Sequence, residues 1–224
     1  FKILDSILIM PANLLSGNYQ KKCIKGSKFL SSLDQDWNSL VSSVGPCKLN
    51  LSIELEPYQA LIKSVIFQQL RPASATAIFN RFKQNFDNNF PTEEKILASP
   101  ESKLKESGLS FNKRKTIIEI ARHVQKGELE NRQNFLIMND SQIIEKLTKI
   151  KGIGEWTAQM LMIFNLGKLD VFPAGDFALR KNYSLFKSIA SPLTMRELSK
   201  ISEEWKPFRS IAAWYLWRYR NILN

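Results

Sequence analysis

The segment LTKIKGIGEWTAQMLMIFNLGKLDVFPAGD, Leu147 to Asp176, decides how the rest of this 224-residue chain is read. A helix-like run ends at Gly152-Ile153-Gly154 and a second follows at once. A Pro-marked loop then closes on the lone carboxylate Asp176, ahead of another helix. Gly152 and Gly154 permit a tight turn with positive φ and close approach of backbone to a ligand. The helix behind them would point its free amides and positive dipole end outward, which suits a phosphate. A carboxylate one helix further on could act on a sugar. These are the two parts needed for work on a nucleotide within DNA. Each also has a plainer reading: an ordinary glycine-rich turn between helices, and an N-cap for Phe177-Ala178-Leu179.

Charge fits a polyanionic partner. Lys plus Arg outnumber Asp plus Glu by 32 to 21, a net charge of +11, with a pI near 9.6. Cations gain by releasing the counterions condensed on nucleic acid, although solvated surface lysines give the same total. With 44% apolar residues the chain can bury a substantial core as one domain or two small ones. Cys23 and Cys47 are isolated and His123 is the only histidine. That excludes a zinc finger and supplies no four-cysteine run for an iron–sulfur cluster; free intracellular thiols are the expectation. No apolar run approaches membrane length, and FKILDSILIM is charged and too short for a span. The chain starts at Phe1 rather than Met, so a few residues are expected to precede it.

Most of the sequence carries helical periodicity. Leu61, Ile62, Val65 and Ile66 form an apolar stripe over Tyr58–Leu70, and Pro72 opens a further helix with Ala73, Ala77 and Ile78 on one face. Helices are predicted over Glu93–Ser107, Lys113–Gln125, Asp140–Lys149, Gly154–Leu166, Phe177–Ser188, Thr194–Glu204 and Pro207–Ile222. Thr92 and Asp140 occupy N-cap positions, and Ser107-Gly108 is a stop. Cys47 to Leu55 alternates with strand period, but with no partner strand in view it reads as an extended connector against helices. The fold class is all-α.

EPYQALIKSVIFQQL, SGLSFNKRKTIIEIA, LTKIKGIGEWTAQM, DVFPAGDFALRK and WKPFRSIAAWYLW occur in the order of one family. The chain resembles the helix-hairpin-helix DNA glycosylases with a Gly/Pro…Asp loop, and is most similar to the 3-methyladenine DNA glycosylase II (AlkA) type, over about Glu56 to Trp217. GIGEWTA with FPAGD is the specific part. The resemblance implies two helical subdomains around a cleft: 56–170 with the hairpin, and 1–55 plus 171–224 carrying the carboxylate. The sheet domain that opens some relatives is not evident in the roughly fifty residues ahead of the match, so the compact form is expected.

By resemblance Asp176 aligns with the catalytic aspartate, which stabilises positive charge developing on deoxyribose and orients or deprotonates the attacking water. Asp170 fits the loop but not that slot. Members that also cut the strand carry a Schiff-base lysine two residues after the second hairpin glycine; here that position is Trp156. The implied reaction is therefore hydrolysis alone, leaving an abasic site. Alkylated purines are cationic and have weakened glycosidic bonds, so an aromatic pocket suffices to hold them. Trp156 and Trp217 match pocket aromatics, while Met160 and Phe177 stand where the AlkA pattern has tyrosines; each can equally be a core residue. Gly152, Ile153 and Gly154 would grip phosphate, with Lys149 and Lys151 close by.

A base inside a duplex must be flipped out and the gap filled. Phe111, just ahead of Lys113-Arg114-Lys115, aligns with the wedge leucine and is placed to intercalate, or else to staple the entry of its helix. Gln69-Leu70-Arg71 follows the helix of the QQ motif in a loop that by resemblance also approaches DNA, so Gln69 and Arg71 are candidate contacts to the estranged base or a phosphate, and Lys113 is a further one. The resemblance also implies a Na or K ion on the carbonyls of Thr148, Ile150 and Ile153, with no cofactor required. The implied partner is double-stranded DNA with alkylated bases, met by a monomer inside the cell: in the cytoplasm or nucleoid of a bacterium, in the nucleus of a eukaryote. An oxidised-purine glycosylase/lyase and a non-catalytic hairpin module remain the alternatives.

Overall fold

The computed structural model describes residues 16–222, and no strand occurs among them. The segment FKILDSILIM lies outside the described residues. Two compact units are present: Ser52–Leu166, and 16–51 together with 167–222.

The unit Ser52–Leu166 holds eight helices: α3 (Pro57–Phe67), α4 (Pro72–Gln84), α5 (Glu93–Ala98), α6 (Glu101–Glu106), α7 (Phe111–Gln125), α8 (Arg132–Ile137), α9 (Asp140–Thr148) and α10 (Glu155–Phe164). Helix α10 is its hub. Every residue from Thr157 to Phe164 is buried, because α3 covers one side and α9 another. Helix α3 supplies Leu61, Ile62, Val65 and Ile66, none more than 1% exposed. Burial of such side chains is worth about 1.5–3 kcal/mol each, which outweighs the small helix penalty of β-branched residues. Helix α7 closes the core with Ile117, Ile120 and Ala121.

The other unit contains α1 (Ser16–Ser31), α2 (Gln35–Val44), α11 (Phe177–Phe186), α12 (Met195–Ile201), a 3₁₀ turn Ser202–Trp205 and α13 (Arg209–Ile222). Helix α13 is central, with Ile211 to Trp217 buried, and α1, α2 and α11 pack on it. Helix α1 can come close because of Gly26, where a Cβ would stand 2.2 Å from Ile211 Cδ1. Trp37 packs edge-on against Trp205 and Phe186, with centroids 5.4 and 5.0 Å away. Cys23 and Cys47 are free and buried.

Several sequence expectations are corrected. The helix expected over Glu93–Ser107 is two, broken at Ser99 and Pro100, since Pro100 disfavours helical backbone before it. The N-cap of α9 is Asn139, not Asp140, in a capping box with Gln142. Helix α4 buries Ala75 and Phe82, while Ala73 and Ala77 are exposed. Helix α8 was missed; six residues give too little periodicity to read.

The alternating segment is a connector, as its lack of a partner strand suggested. Cys47 and Leu49 point inward while Lys48 is exposed. Its continuation is clamped by Arg132, which donates to the carbonyls of Ile53, Leu55 and Asn165, and by Asn165 Nδ2, which donates to Ser52 and Leu55 at 2.8 and 2.7 Å. These bonds replace the ladder a strand would have had.

Candidate functional site

The hairpin joins α9 to α10 through a tight turn in which the Ile153 amide donates to the Ile150 carbonyl at 2.9 Å. Gly152 has φ +95, and a Cβ there would lie 2.0 Å from Thr116 Oγ1 and 2.9 Å from Thr116 Cβ. Both its conformation and its contact with α7 therefore demand glycine. Gly154 departs from expectation: it is the extended N-cap of α10, φ −94 and ψ 171, with no atom within 4 Å of a built Cβ. Its lack of a side chain leaves the approach to the first amides of α10 open rather than permitting a left-handed turn. The Ile150 carbonyl keeps a second lone pair after its turn bond.

Beside the hairpin lies a pocket of about 360 Å³ lined by Gly152, Gly154, Trp156, Thr157, Gln68 and Gln69, with Ser64 and Phe67 behind. Trp156, half-buried, stands in the first turn of α10. The loop opposite is built with care. Gln68 Nε2 donates to Thr157 Oγ1 at 3.0 Å, and Lys113 Nζ donates to the carbonyls of Ile66 and Gln68 at 2.8 Å each. Gln69 then takes φ +55, a left-handed conformation costing about 1–2 kcal/mol in a residue with a Cβ, and is exposed. Arg71 occupies the N-cap position of α4 without a side-chain capping bond and is exposed.

Lys113 thus sits differently from its sequence reading. Its ammonium is turned onto the end of α3, and burial lowers its pKa from the ordinary 10.5. It shapes the Gln68–Gln69 loop. Phe111 is the first residue of α7 and 53% exposed, with Lys115 Nζ 4.2 Å and the Arg114 guanidinium 5.6 Å from its ring centroid. Met160 is buried and faces a separate cavity of about 30 Å³ with Lys63 and Asn165, sharing only Ser64 with the Trp156 pocket. Lys149 is exposed and paired with Glu145 at 3.0 Å.

In the other unit, buried Phe172, Pro173 and Ala174 anchor the loop before Asp176, and the Asp176 amide donates to Pro173 at 2.8 Å. Asp176 Oδ1 accepts from the amides of Ala178 at 2.7 Å and Leu179 at 3.1 Å. The cap fixes the carboxyl of a half-exposed residue at the head of α11. Asp170 is instead taken up by Arg209, whose Nε and Nη2 reach its carboxylate at 2.8 and 3.0 Å. Phe177 is 60% exposed and lies under the Arg180 guanidinium, 5.4 Å from the ring centroid. Trp217 is buried on α13, which Asn182 ties to α11 through the Leu216 carbonyl.

Sequence reasoning missed Thr157, Gln68 and Ser64 as pocket residues. Thr157 and Gln68 are 89 positions apart, and nothing local in either segment announces the other.

Comparison with known proteins shows the family and the fold. DNA-3-methyladenine glycosylase 1 of Schizosaccharomyces pombe is 40% identical over 202 residues, covering 89% of this chain and 89% of that protein. The alkylbase DNA glycosidase-like protein of the same yeast is 37% identical over 196 residues, 87% of this chain and 92% of that one. A solved structure of the S. pombe 3-methyladenine DNA glycosylase with abasic DNA superposes with a TM-score of 0.81 at 39% identity, covering 87% of this chain and 95% of that one. Residues 62–207 match the family model of the HhH-GPD superfamily of base excision DNA repair proteins. With its hairpin, its capped Asp176 loop and these relatives, the chain belongs to the HhH-GPD superfamily of base excision DNA repair proteins.

Proposed function

We infer that the protein is a monofunctional DNA glycosylase that hydrolyses the N-glycosidic bond of alkylated purines, 3-methyladenine and 7-methylguanine, in duplex DNA. The observation that carries this reading is Trp156 on the hairpin pocket, an aromatic ring where a lyase would present an amine. Its relatives are named as 3-methyladenine glycosylases, which supports the same substrate class.

The proposed reaction runs by hydrolysis. The bond between C1′ and the purine nitrogen breaks, and its electron pair leaves with the base. A water oxygen adds to C1′ and loses a proton. Asp176, its carboxyl fixed by the amides of Ala178 and Leu179, stabilises the cationic sugar and orients or deprotonates that water. The base already carries positive charge, so stacking on the ring of Trp156 takes the place of a general acid. Gly152, Ile153 and Gly154 grip the backbone through the amides of α10. Phe111 and Gln69, both exposed, fill the gap left by the flipped nucleotide, and Arg71 meets phosphate. A Na or K ion on the carbonyls of Thr148, Ile150 and Ile153 would supply positive charge near that phosphate. No other cofactor is required, and the protein works as an intracellular monomer.

Base release from methylated duplex DNA, read by chromatography with strand breaks scored separately, tests the reading. Free 3-methyladenine and an intact strand are expected. Strand cleavage with borohydride trapping would move the protein to the glycosylase/lyases, and binding without release to the non-catalytic hairpin modules.

A further inference from the structure

Helix α1 carries Lys21, Lys22, Lys25 and Lys28 and no acidic residue. All four are exposed. Among the described residues, none of the four has a carboxylate within 4.0 Å, whereas Lys146, Lys149, Lys187 and Lys206 each meet one at 3.0 Å or less. Lys21, Lys25 and Lys28 follow the i, i+4, i+7 spacing of one helix face, and Lys22 flanks them. Like charges so placed repel one another, and no carboxylate among the described residues lies within 4.0 Å to offset that. Beside Lys28 and Ile24 opens a groove of about 530 Å³ bordered by Ser31, Ser32, Asn38 and Ser42, with Val41 and Pro46 also on its wall.

We propose that α1 and this groove form a second nucleic-acid contact, holding the phosphodiester backbone of undamaged duplex DNA without regard to base sequence. The proposal rests on the reading of DNA as the partner, but concerns a surface that takes no part in base release. From Lys21 to Lys28 the helix rises roughly 10 Å, a length that spans about three phosphates of one strand. Hydroxyl and amide groups such as those of Ser31 and Asn38 are ordinary phosphate donors that position a duplex without reading it. Protein-binding surfaces are depleted in lysine and enriched in aromatic residues; here the only exposed large apolar group within the stripe is Ile24. Sequence-independent backbone contacts let a repair protein slide and hop between lesions.

The test compares the intact chain with the Lys21→Gln, Lys22→Gln, Lys25→Gln, Lys28→Gln variant, binding a lesion-free duplex over a range of salt. Glutamine keeps helix propensity, and circular dichroism and melting check the fold. The expected result is a salt slope shallower by roughly 3–4, about 0.9 for each phosphate that is no longer neutralised, so that the affinity ratio between about 50 and 200 mM salt shrinks roughly a hundredfold. Release of 3-methyladenine at saturating enzyme should be unchanged. A second variant with Lys95, Lys105, Lys126 and Lys200 changed to Gln, exposed lysines scattered over both units, should keep the steeper slope. An unchanged slope in the α1 variant, or an equal loss in both, overturns the proposal. Failure of base release in the intact chain would instead count against the glycosylase reading.

Discussion

Gln68 Nε2 donates to Thr157 Oγ1 at 3.0 Å, fastening the end of α3 to the first turn of the hairpin helix. Thr157 is buried, so loss of its partner strands a polar group away from water. Gln68→Ala should destabilise the protein by about 1–3 kcal/mol. A double-mutant cycle with Thr157→Val should return a coupling of about 0.5–3 kcal/mol. Additive losses in thermal melts would mean the two side chains do not act as a pair.

The two hairpin glycines should behave differently. Gly152→Ala meets Thr116 at 2.0 Å and keeps a positive φ, together worth about 2–5 kcal/mol. A fall in Tm of more than about 4 °C is expected. Gly154→Ala meets nothing within 4 Å and should cost under about 1 kcal/mol as an N-cap change. Its expected effect is weaker DNA binding, because the new methyl stands before the amides of α10. Unaltered affinity in that variant would falsify the phosphate role of this turn.

The capping bonds of Asp176 and its proposed catalytic role are separable, and two substitutions divide them. Asparagine retains a capping oxygen for Ala178 and Leu179 while alanine does not, so Asp176→Ala should lose about 0.5–2 kcal/mol and Asp176→Asn far less. Both should slow release of 3-methyladenine by about 10²–10⁴, with DNA binding kept. Equal melting temperatures for the two variants would remove the capping role, and retained release the catalytic one.

Lys187 reaches Asp34 at 2.7 Å and Asp36 at 2.6 Å. Burial alone would raise the Asp34 pKa, but the Lys187 hydrogen bond and the Trp37 amide hold it below the ordinary 3.8. Burial alone would lower the Lys187 pKa, but its two carboxylate bonds hold it above 10.5. The Asp34 contribution is therefore present above about pH 4 and lost as pH falls through its depressed value. The Lys187 contribution is present below about 10.5 and lost as pH rises through its raised one. Solvent reaches both groups, so the network is worth only about 0.2–1 kcal/mol. Lys187→Met should flatten the acid limb of a stability–pH curve by that amount; an unchanged limb would show the ion pairs to be energetically silent.

Much was legible in order along the chain. The stripe Leu61, Ile62, Val65, Ile66 marked a helix correctly because burial of one face has a local period. Gly152 and FPAGD marked turns because backbone geometry restricts which residues can occupy them. Lys113 was misjudged for the converse reason: a lysine in a basic run looks solvated until the carbonyls of Ile66 and Gln68 are seen within its reach. Gly154 likewise reads as a left-handed residue beside Gly152, whereas the geometry makes it an extended cap.

By itself the sequence determined the all-helical class, the hairpin, the family and the candidate carboxylate, since each depends on local patterns, or on the order of several local patterns along the chain. Only the tertiary structure decided which side chains share the Trp156 pocket, that Met160 faces a different cavity, and that Arg132 and Asn165 clamp a connector far away in sequence. Those outcomes depend on long-range packing, in which partners tens of residues apart are chosen by shape and unsatisfied hydrogen bonds rather than by spacing.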